Sequence, residues 1–318
     1  MALTPRALNI VVLGGTGFVG SALVGRLAGA GHRLRVLSRH PEAARSLAVL
    51  PRVERVRANV HDPATLEREF SGADVVIHLV GILNERGRSG RGFELAHAEL
   101  TRKVVAACVK ARVTRLLHMS ALGASESGPS HYLRSKGVAE RHVRSAPAAL
   151  DWTIFRPSVI FGARDSLLNR FASLLRLSGG FIPLARAKAR FAPVWVEDVV
   201  SAFERAVNGG ITSRQSYDLV GPEEMTLAQL VQLTGELSGT RVRLLALPDP
   251  LGRLQGAILD FVPGKPFSSD NFRSLTVDNV SRDDGLAKLG ITPTPLRTIA
   301  ATYLGPARLD RLRREARQ

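Results

Sequence analysis

Tyr132 and Lys136 lie four residues apart in the segment SHYLRSKGVAE (residues 130–140), which has the pattern of a polar-faced helix. Residues at positions i and i+4 of a helix share one face, so the phenol and the amine lie side by side. A phenol with its ordinary pKa near ~10 is a poor base at neutral pH, and a cation one turn away favours the phenolate. The pair is either a proton donor with the cation that tunes it, or two residues that share a face by coincidence.

Three glycines follow the first strand-like run in NIVVLGGTGFVGSALVGRL (residues 9–27). Gly14 allows a tight turn, Gly17 lets the backbone approach a pyrophosphate, and Gly20 lets the helix pack closely on the strand. The helix that follows directs its N-terminal amides at the phosphates. Because the triplet opens a strand–turn–helix unit, we predict dinucleotide binding rather than a purely structural turn. The predicted cofactor-binding residues here are Gly14, Thr16, Gly17, Phe18, Val19 and Gly20.

The residues after the second strand indicate which dinucleotide binds. An NAD-selective site usually offers an acidic residue to the ribose hydroxyls at this point, whereas this chain has Ser38 and Arg39 in LSRHP. A guanidinium forms paired hydrogen bonds with a 2′-phosphate and covers the adenine face. We therefore predict NADP(H) as the preferred cofactor. NAD(H) is the alternative, and an Arg39 that merely belongs to the arginine surplus is the non-functional interpretation.

Short apolar runs alternate with amphipathic helical patterns along much of the chain. The runs cover residues 9–13, 33–38, 53–58, 74–80, 115–120, 152–156 and 216–220. Apolar strands separated by helices predict a doubly wound parallel sheet, an α/β domain whose ligand lies beyond the carboxyl ends of the strands. We assign residues 1–162, with 193–220 returning, to this domain. Residues 163–192 and 221–318 are predicted to form a smaller C-terminal α/β substrate lobe.

The charge narrows the list of partners. The net charge of +16 comes mainly from arginine, since lysine occurs only six times among 318 residues. Nucleic acid, an anionic membrane or an acidic protein would attract such a surface, and a merely solvated surface is the plain alternative. No nucleic-acid-binding motif is recognisable and only 17 residues are aromatic. We therefore predict no nucleic-acid partner.

Other compositional features exclude further classes. No apolar run approaches the ~20 residues of a membrane helix, and the N-terminus lacks the pattern of a cleavable signal. The scattered histidines show no metal-ligand spacing, so we predict no metal site. The single cysteine, Cys108, lies on an apolar helical face, which predicts core packing and suits a reducing cytoplasm.

Several motifs together resemble the extended or atypical short-chain dehydrogenase/reductases. These motifs are GGTGFVG, ADVVIHLVG, LLHMSALGA, YLRSK, FRPSVIFG, FAPVWVEDVV and YDLVGPE, and they cover residues 8–225. Within the superfamily, SHYLRSKGVAERHVR, FGARDSLLNRFASL and FIPL are most similar to the branch of the NADPH-binding accessory subunit of respiratory complex I and its bacterial relatives. The resemblance implies a Rossmann fold and an NAD(P)-binding site.

The resemblance also implies roles for individual residues. Tyr132 matches the family's proton donor or acceptor, Lys136 the residue that holds the nicotinamide ribose and lowers the phenol's pKa, and Ser120 the hydroxyl that orients a substrate carbonyl. His97 stands where an asparagine often lies, and it either bridges a water relay or marks a lost proton path. The other positions that the family assigns to the cofactor are Asn59, Val60, Leu79, Val80, Gly81, Pro157, Ser158 and Val159.

Three functions follow from these patterns. The first is NADPH-dependent oxidation or reduction of a carbonyl or quinone-related substrate. The second is a non-catalytic NADPH-binding accessory or assembly protein of a respiratory NADH:quinone oxidoreductase. The third, a nucleotide-sugar epimerase or dehydratase, is disfavoured by Arg39 and by the short interval of 12 residues between Ser120 and Tyr132.

Two segments near the C-terminus raise the question of a partner. Residues 249–267 place Leu251, Leu254, Ile258 and Phe261 on one helical stripe. This stripe covers the substrate pocket, lies on a lipid surface, or packs on the second lobe. The basic end, residues 307–318, is either a solvated helix or a dock for an acidic surface. We expect a cytoplasmic protein, with a peripheral position on the inner face of the membrane as the alternative.

Overall fold

The computed structural model describes residues 6–305, so the basic segment 307–318 lies outside the described residues. The chain divides into two compact units. Unit 1 is Met1–Arg156 with Val199–Tyr217, and unit 2 is Pro157–Asp198 with Asp218–Gln318. The domain boundaries expected near residues 162, 193 and 220 stay a prediction.

Thirteen strands occur within residues 6–305. They are β1 (Asn9–Leu13), β2 (Arg33–Ser38), β3 (Val53–Arg57), β4 (Val75–His78), β5 (Arg115–Met119), β6 (Asp151–Pro157), β7 (Ile160–Phe161), β8 (Phe181–Ala185), β9 (Arg190–Phe191), β10 (Val194–Trp195), β11 (Gln215–Leu219), β12 (Met225–Thr226) and β13 (Arg243–Leu247). The seven apolar runs of the sequence correspond to β1 to β6 and β11.

Twelve α-helical segments lie within the same residues. They are α1 (Phe18–Gly29), α2 (Pro63–Phe70), α3 (Arg91–Phe93), α4 (Leu100–Lys110), α5 (His131–Arg144), α6 (Leu168–Leu177), α7 (Val196–Ala206), α8 (Leu227–Ser238), α9 (Asp249–Leu259), α10 (Ser269–Ser274), α11 (Gly285–Lys288) and α12 (Leu296–Leu304). A π-helical turn, Glu94–Glu99, joins α3 to α4. None of the helices within residues 6–305 has the length and hydropathy to cross a membrane.

A seven-stranded parallel sheet has the order β11-β6-β5-β4-β1-β2-β3. The four residues of β4 are all buried, as are the last four of β1, which explains the aliphatic runs at residues 75–77 and 10–13. Cys108 on α4 is part of the core beside this sheet, and burial raises the pKa of its thiol. The doubly wound α/β fold is confirmed.

Unit 2 contains three two-stranded sheets. β7 pairs with β10 and β8 with β13 in parallel, whereas β9 and β12 are antiparallel. The buried Asp165 carboxylate accepts hydrogen bonds from the Leu168 amide (2.7 Å) and the Tyr303 hydroxyl (2.8 Å). This carboxylate therefore connects the start of α6 with α12.

Candidate functional site

The turn between β1 and α1 leaves no room for a side chain at Gly14 or at Gly20. Gly14 has φ +81°, and a Cβ on it would lie 3.0 Å from the carbonyl carbon of Leu79. A Cβ on Gly20 would lie 2.2 Å from the Gly14 carbonyl oxygen. The left-handed backbone of Gly14 and the close approach at Gly20 both require glycine. Their contact with a cofactor stays a prediction.

The N-terminus of α1 presents backbone amides to an anion. Gly17 is the N-cap residue in an extended conformation, no side chain caps the helix, and its first turn carries no acidic residue. Within 4 Å, a Cβ on Gly17 would meet only the Gly14 oxygen, at 3.2 Å. Since the first amides of a helix lack intrahelical partners and its dipole favours negative charge, this end fits a pyrophosphate. Of the other predicted contacts, Thr16 and Phe18 are half-buried and Val19 is buried.

Sequence reasoning missed the structural role of Gly15. A Cβ on Gly15 would lie 2.8 Å from Cγ1 of Val36 on β2 and 3.1 Å from Cγ1 of Val12. The turn therefore packs directly on the strands behind it. The doubled glycine in LGGTG was the available signal.

The loop after β2 has the charge expected for a phosphate site. Arg39 is exposed and forms no ion pair or side-chain hydrogen bond within residues 6–305. The nearby acid Glu42 was missed in the sequence, but its carboxylate accepts a hydrogen bond from Arg57 at 2.9 Å. Asn59 is exposed with its Oδ1 accepting from its neighbour His61 (3.1 Å). Arg39 therefore remains available to a 2′-phosphate.

The carboxyl end of β4 brings a glycine against two functional side chains. Leu79 is buried and its amide donates to the Leu13 carbonyl at 2.9 Å, whereas Val80 is half-buried. A Cβ on the exposed Gly81 would lie 3.3 Å from both Lys136 Nζ and His97 Nε2. The sequence-predicted residues Gly81 and Lys136 are therefore neighbours.

Lys136 is a buried cation on α5. Its side chain is only 4% exposed, and Nζ donates to the Met119 carbonyl at the end of β5, 3.1 Å away. Burial lowers the pKa of Lys136 to about 8, with the Glu140 charge acting in the opposite direction. A cation held beside Gly81 can donate hydrogen bonds to a ribose there.

Tyr132 packs against two aromatic rings, and its pKa is raised rather than lowered. Its ring makes edge contacts with Phe93 and His97, at centroid distances of 5.9 and 5.5 Å. Burial raises the pKa of Tyr132 to about 12, whereas the family resemblance implies that Lys136 lowers it. Desolvation of the phenolate is the cause of this rise. The phenol is therefore protonated at neutral pH and can donate a proton rather than accept one.

His97 lies on the π-helical turn, a feature frequent at functional sites. Its Nε2 accepts a hydrogen bond from the Ile82 amide (3.0 Å), so Nδ1 carries the proton and donates to Ser135 Oγ (2.8 Å). Ser135 in turn donates to the Tyr132 carbonyl at 2.8 Å. Burial, aided by the Lys136 charge, holds the pKa of His97 well below its usual value. Both ring nitrogens therefore have protein partners, and the water relay and the lost proton path both stay predictions.

Ser120 is engaged in a network that the sequence did not reveal. Its hydroxyl donates to Glu140 Oε1 at 2.6 Å, and the Glu140 carboxylate also accepts from both Nε and Nη2 of Arg156. The donor that the family resemblance assigns to a substrate carbonyl is thus committed to Glu140. The orienting role of Ser120 stays a prediction. A buried acid one turn after Lys136 in the segment KGVAE was the signal for this network.

The predicted residues Pro157, Ser158 and Val159 belong to unit 2. Ser158 Oγ donates to the Asn279 side-chain oxygen at 2.7 Å, and the Val159 amide donates to the same oxygen at 3.1 Å. Asn279 therefore fixes this strand end and was missed in the sequence. Contact of these three residues with a nicotinamide stays a prediction.

Two histidines lie at the carboxyl ends of β4 and β5. The rings of His78 and His118 have centroids 5.1 Å apart, and both are buried. Burial lowers the pKa of His78 to about 3 and that of His118 well below its usual value. Both are therefore neutral at neutral pH. Within the described part of the chain, no group of three or more acidic, histidine or cysteine side chains is arranged to hold a metal.

The glycine turn, the open helix N-terminus and the buried lysine define a class of protein, the NAD(P)H-binding α/β proteins. The sequence matches the NAD(P)H-binding family over residues 14–168. It is 30% identical to the mitochondrial NADH dehydrogenase [ubiquinone] 1 alpha subcomplex subunit 9 of Arabidopsis thaliana, across 92% of this chain and 76% of that protein. The chain belongs to the extended, atypical short-chain dehydrogenase/reductase family and is related to these complex I subunits.

One further relative and one solved structure are also similar to this chain. The ceramide reductase of Caulobacter vibrioides is 30% identical, across 82% of this chain and 80% of the reductase. DesIV, a dTDP-glucose 4,6-dehydratase of Streptomyces venezuelae solved with NAD bound, has a TM-score of 0.72 and 21% identity, covering 93% of this chain and 95% of that chain. The DesIV similarity shows the fold alone.

Proposed function

We propose that the protein binds NADP(H) and reduces a carbonyl on a lipid- or quinone-related substrate. The observation that carries this proposal is the position of Lys136, buried beside Gly81 and on the same α5 face as Tyr132. The α1 amides would hold the pyrophosphate and Arg39 the 2′-phosphate. When bound, NADPH supplies the hydride for the carbonyl carbon.

Tyr132 would supply the proton for this reduction. A phenol whose pKa is about 12 is protonated at neutral pH and can donate to a carbonyl oxygen as the carbon accepts the hydride. The carbonyl becomes an alcohol, the cofactor is oxidised, and Tyr132 is left as a phenolate. Lys136 would stabilise that phenolate until water returns the proton. A protonated phenol thus has the form that a general acid needs in the reducing direction.

The substrate class is suggested by the relatives. One is named a ceramide reductase, and another is named a subunit of an NADH dehydrogenase [ubiquinone]. Both names point to hydrophobic molecules. We extend this to the present chain as a proposal and expect an apolar carbonyl compound rather than a nucleotide sugar.

The reaction is tested by NADPH oxidation with a ketone-bearing sphingolipid and with a short-chain ubiquinone analogue. Tyr132→Phe should lower kcat by about 100-fold or more, since general acid catalysis contributes factors of this size. Tyr217→Phe, which removes a phenol that donates to the Ile211 carbonyl, is the matched control and should keep kcat. Equal turnover by wild type and Tyr132→Phe would refute the assigned role.

A second function, a non-catalytic accessory protein, is favoured by a different observation. Both nitrogens of His97 and the hydroxyl of Ser120 are committed to protein partners. In this proposal NADPH stabilises the fold, adding about 2.7 kcal/mol at a concentration 100 times its dissociation constant. We would expect no turnover with either substrate, a higher Tm with NADPH, and co-purification of respiratory subunits.

We further propose a reducing compartment and a peripheral position on the inner face of a membrane. The single cysteine is buried and cannot form an intrachain disulfide. Kinship with complex I subunits supports a respiratory partner. Crosslinking in intact cells followed by identification of the linked subunits tests this placement, and recovery in oxidising extracellular fractions would contradict it.

A further inference from the structure

Helix α9 in unit 2 has large apolar side chains on its outer surface. Leu251, Leu254 and Ile258 are 50%, 54% and 58% exposed, and Phe261, just after the helix, is 73% exposed. These residues follow one another at intervals of three and four, so they share one face. The apolar face, defined as Leu251, Leu254, Ile258 and Phe261, is therefore turned away from the core of unit 2.

The opposite side of α9 explains this orientation. Gly252 and Gly256 are buried, and Cβ atoms on them would lie 2.8 Å from the Phe272 ring and 3.2 Å from the Ser268 carbonyl oxygen. Gln255 fixes the helix further by donating to the Pro183 carbonyl at 2.9 Å. Small residues let the backbone approach its support closely, and no rotation of α9 can bury the larger ones there. The exposure of the apolar face is thus built into the packing.

The two acidic residues near the ends of α9 leave little free negative charge beside the apolar face. Asp249 is paired with Arg186 at 2.9 Å, and Asp260 is only 8% exposed, with Oδ1 accepting from the Ser269 amide. The charge of Asp249 is therefore neutralised by Arg186, and Asp260, just after the helix, is turned inward. Arg253 is exposed and forms no ion pair within residues 6–305. The surface beside the apolar face consequently carries uncompensated positive charge.

We propose that the apolar face of α9 binds the surface of an anionic lipid bilayer, with the helix lying in the plane of the headgroups. Aliphatic and aromatic side chains without polar groups suit the boundary of the acyl chains, and Arg253 suits lipid phosphates. An 11-residue helix fits this in-plane position. This inference does not depend on the proposed reaction, because membrane binding and NADPH binding involve different residues.

Flotation with lipid vesicles tests the proposal on the full chain. Wild type should bind vesicles of phosphatidylcholine mixed with phosphatidylglycerol. It should bind vesicles of phosphatidylcholine alone much more weakly. Each of Leu254→Gln and Ile258→Gln should weaken binding about tenfold, because each removes the transfer free energy of one large side chain. Arg253→Gln should weaken it about fivefold, the effect of one cation near an anionic surface.

Ile211→Gln is the matched control, since Ile211 is 77% exposed but belongs to unit 1. It should bind vesicles like wild type, and all variants should keep the wild-type Tm because the changed side chains are exposed. A Phe261→Trp variant should shift its fluorescence to the blue on anionic vesicles. Failure of wild type to float overturns the proposal. A concentration-dependent dimer that Ile258→Gln abolishes, without vesicle binding, replaces the bilayer with a second copy.

Discussion

Helices α5 and α9 both invert the usual distribution of side chains, and they do so for different reasons. α5 buries Lys136 and Glu140, each with hydrogen-bond partners, whereas α9 exposes Leu254, Ile258 and other large apolar residues. A buried charge requires a partner or a ligand. An exposed apolar stripe requires a surface to cover it. The comparison separates a helix organised around a small-molecule site from a helix organised around an interface.

The largest expected effect concerns the buried acid of α5. Glu140→Gln should lower the free energy of unfolding by about 3–5 kcal/mol, because it leaves the Arg156 and Ser120 partners of a buried carboxylate incompletely satisfied. Urea unfolding provides the measurement. Glu126→Gln, which removes a pair with Arg141 at the surface of the same helix, should change stability by about 0.5 kcal/mol or less. Similar losses in both variants would contradict the network.

On α9, the equivalent test concerns its glycines. Gly252→Ala should lower stability by about 1–3 kcal/mol, since the added Cβ would lie 2.8 Å from the Phe272 ring and 2.9 Å from Ala185 Cβ. Gly25→Ala is the matched change in α1, where a Cβ meets nothing within 4 Å. That control should be neutral or stabilising by about 0.5–1 kcal/mol. A stabilising Gly252→Ala would mean that α9 does not pack through its small residues.

The two helices should also differ in their dependence on pH. The pKa of Lys136 is about 8 in the folded protein against an ordinary value of 10.5, so between these values the unfolded chain holds a proton that the folded protein has released. Stability should therefore rise with pH across this window, and the cost of burying the charge is fully present below pH 8. Lys136→Met should remove the rise, as measured by denaturation at several pH values. Ile258→Gln on α9 changes no titratable group and should keep it.

The smallest expected changes are in ligand affinity, and they distinguish Arg39 in unit 1 from Arg253 on α9. Arg39→Gln should weaken NADPH binding about tenfold through the lost 2′-phosphate contact, while NADH binding and vesicle binding stay unchanged. Arg253→Gln should weaken only vesicle binding. Titration calorimetry and flotation measure the two affinities. If Arg39→Gln weakened NADPH and NADH equally, the preference for NADP(H) would lose its basis.

The sequence predicted the fold of unit 1 well, because its central strands are rich in buried apolar residues and the first turn requires glycine for steric reasons. The left-handed turn at Gly14 and the close approach at Gly20 are the backbone features for which the sequence required glycine. The pKa of Tyr132 could not be predicted in the same way. Spacing along a helix gives the distance to Lys136 but not the burial that raises the pKa of the phenol.

The partners of Ser120, His97 and Ser158 were also hidden from the sequence. Glu140, Ser135 and Asn279 lie 20, 38 and 121 residues away from them, so only the folded chain brings these groups together. For α9 the residue spacing predicted the apolar stripe, but it did not predict which way the stripe faces. Amphipathic periodicity identifies an apolar face, and the intervening glycines decide which face packs inward.

Both proposed functions of this protein require that the turn after β1 binds a phosphorylated dinucleotide. Titration calorimetry of NADPH against wild type, Gly20→Ala and Gly25→Ala tests it most directly. We expect one site per chain in wild type and in Gly25→Ala, and no measurable binding in Gly20→Ala, whose added Cβ would lie 2.2 Å from the Gly14 oxygen. Absence of heat with wild type, or equal affinity in Gly20→Ala, would contradict the account.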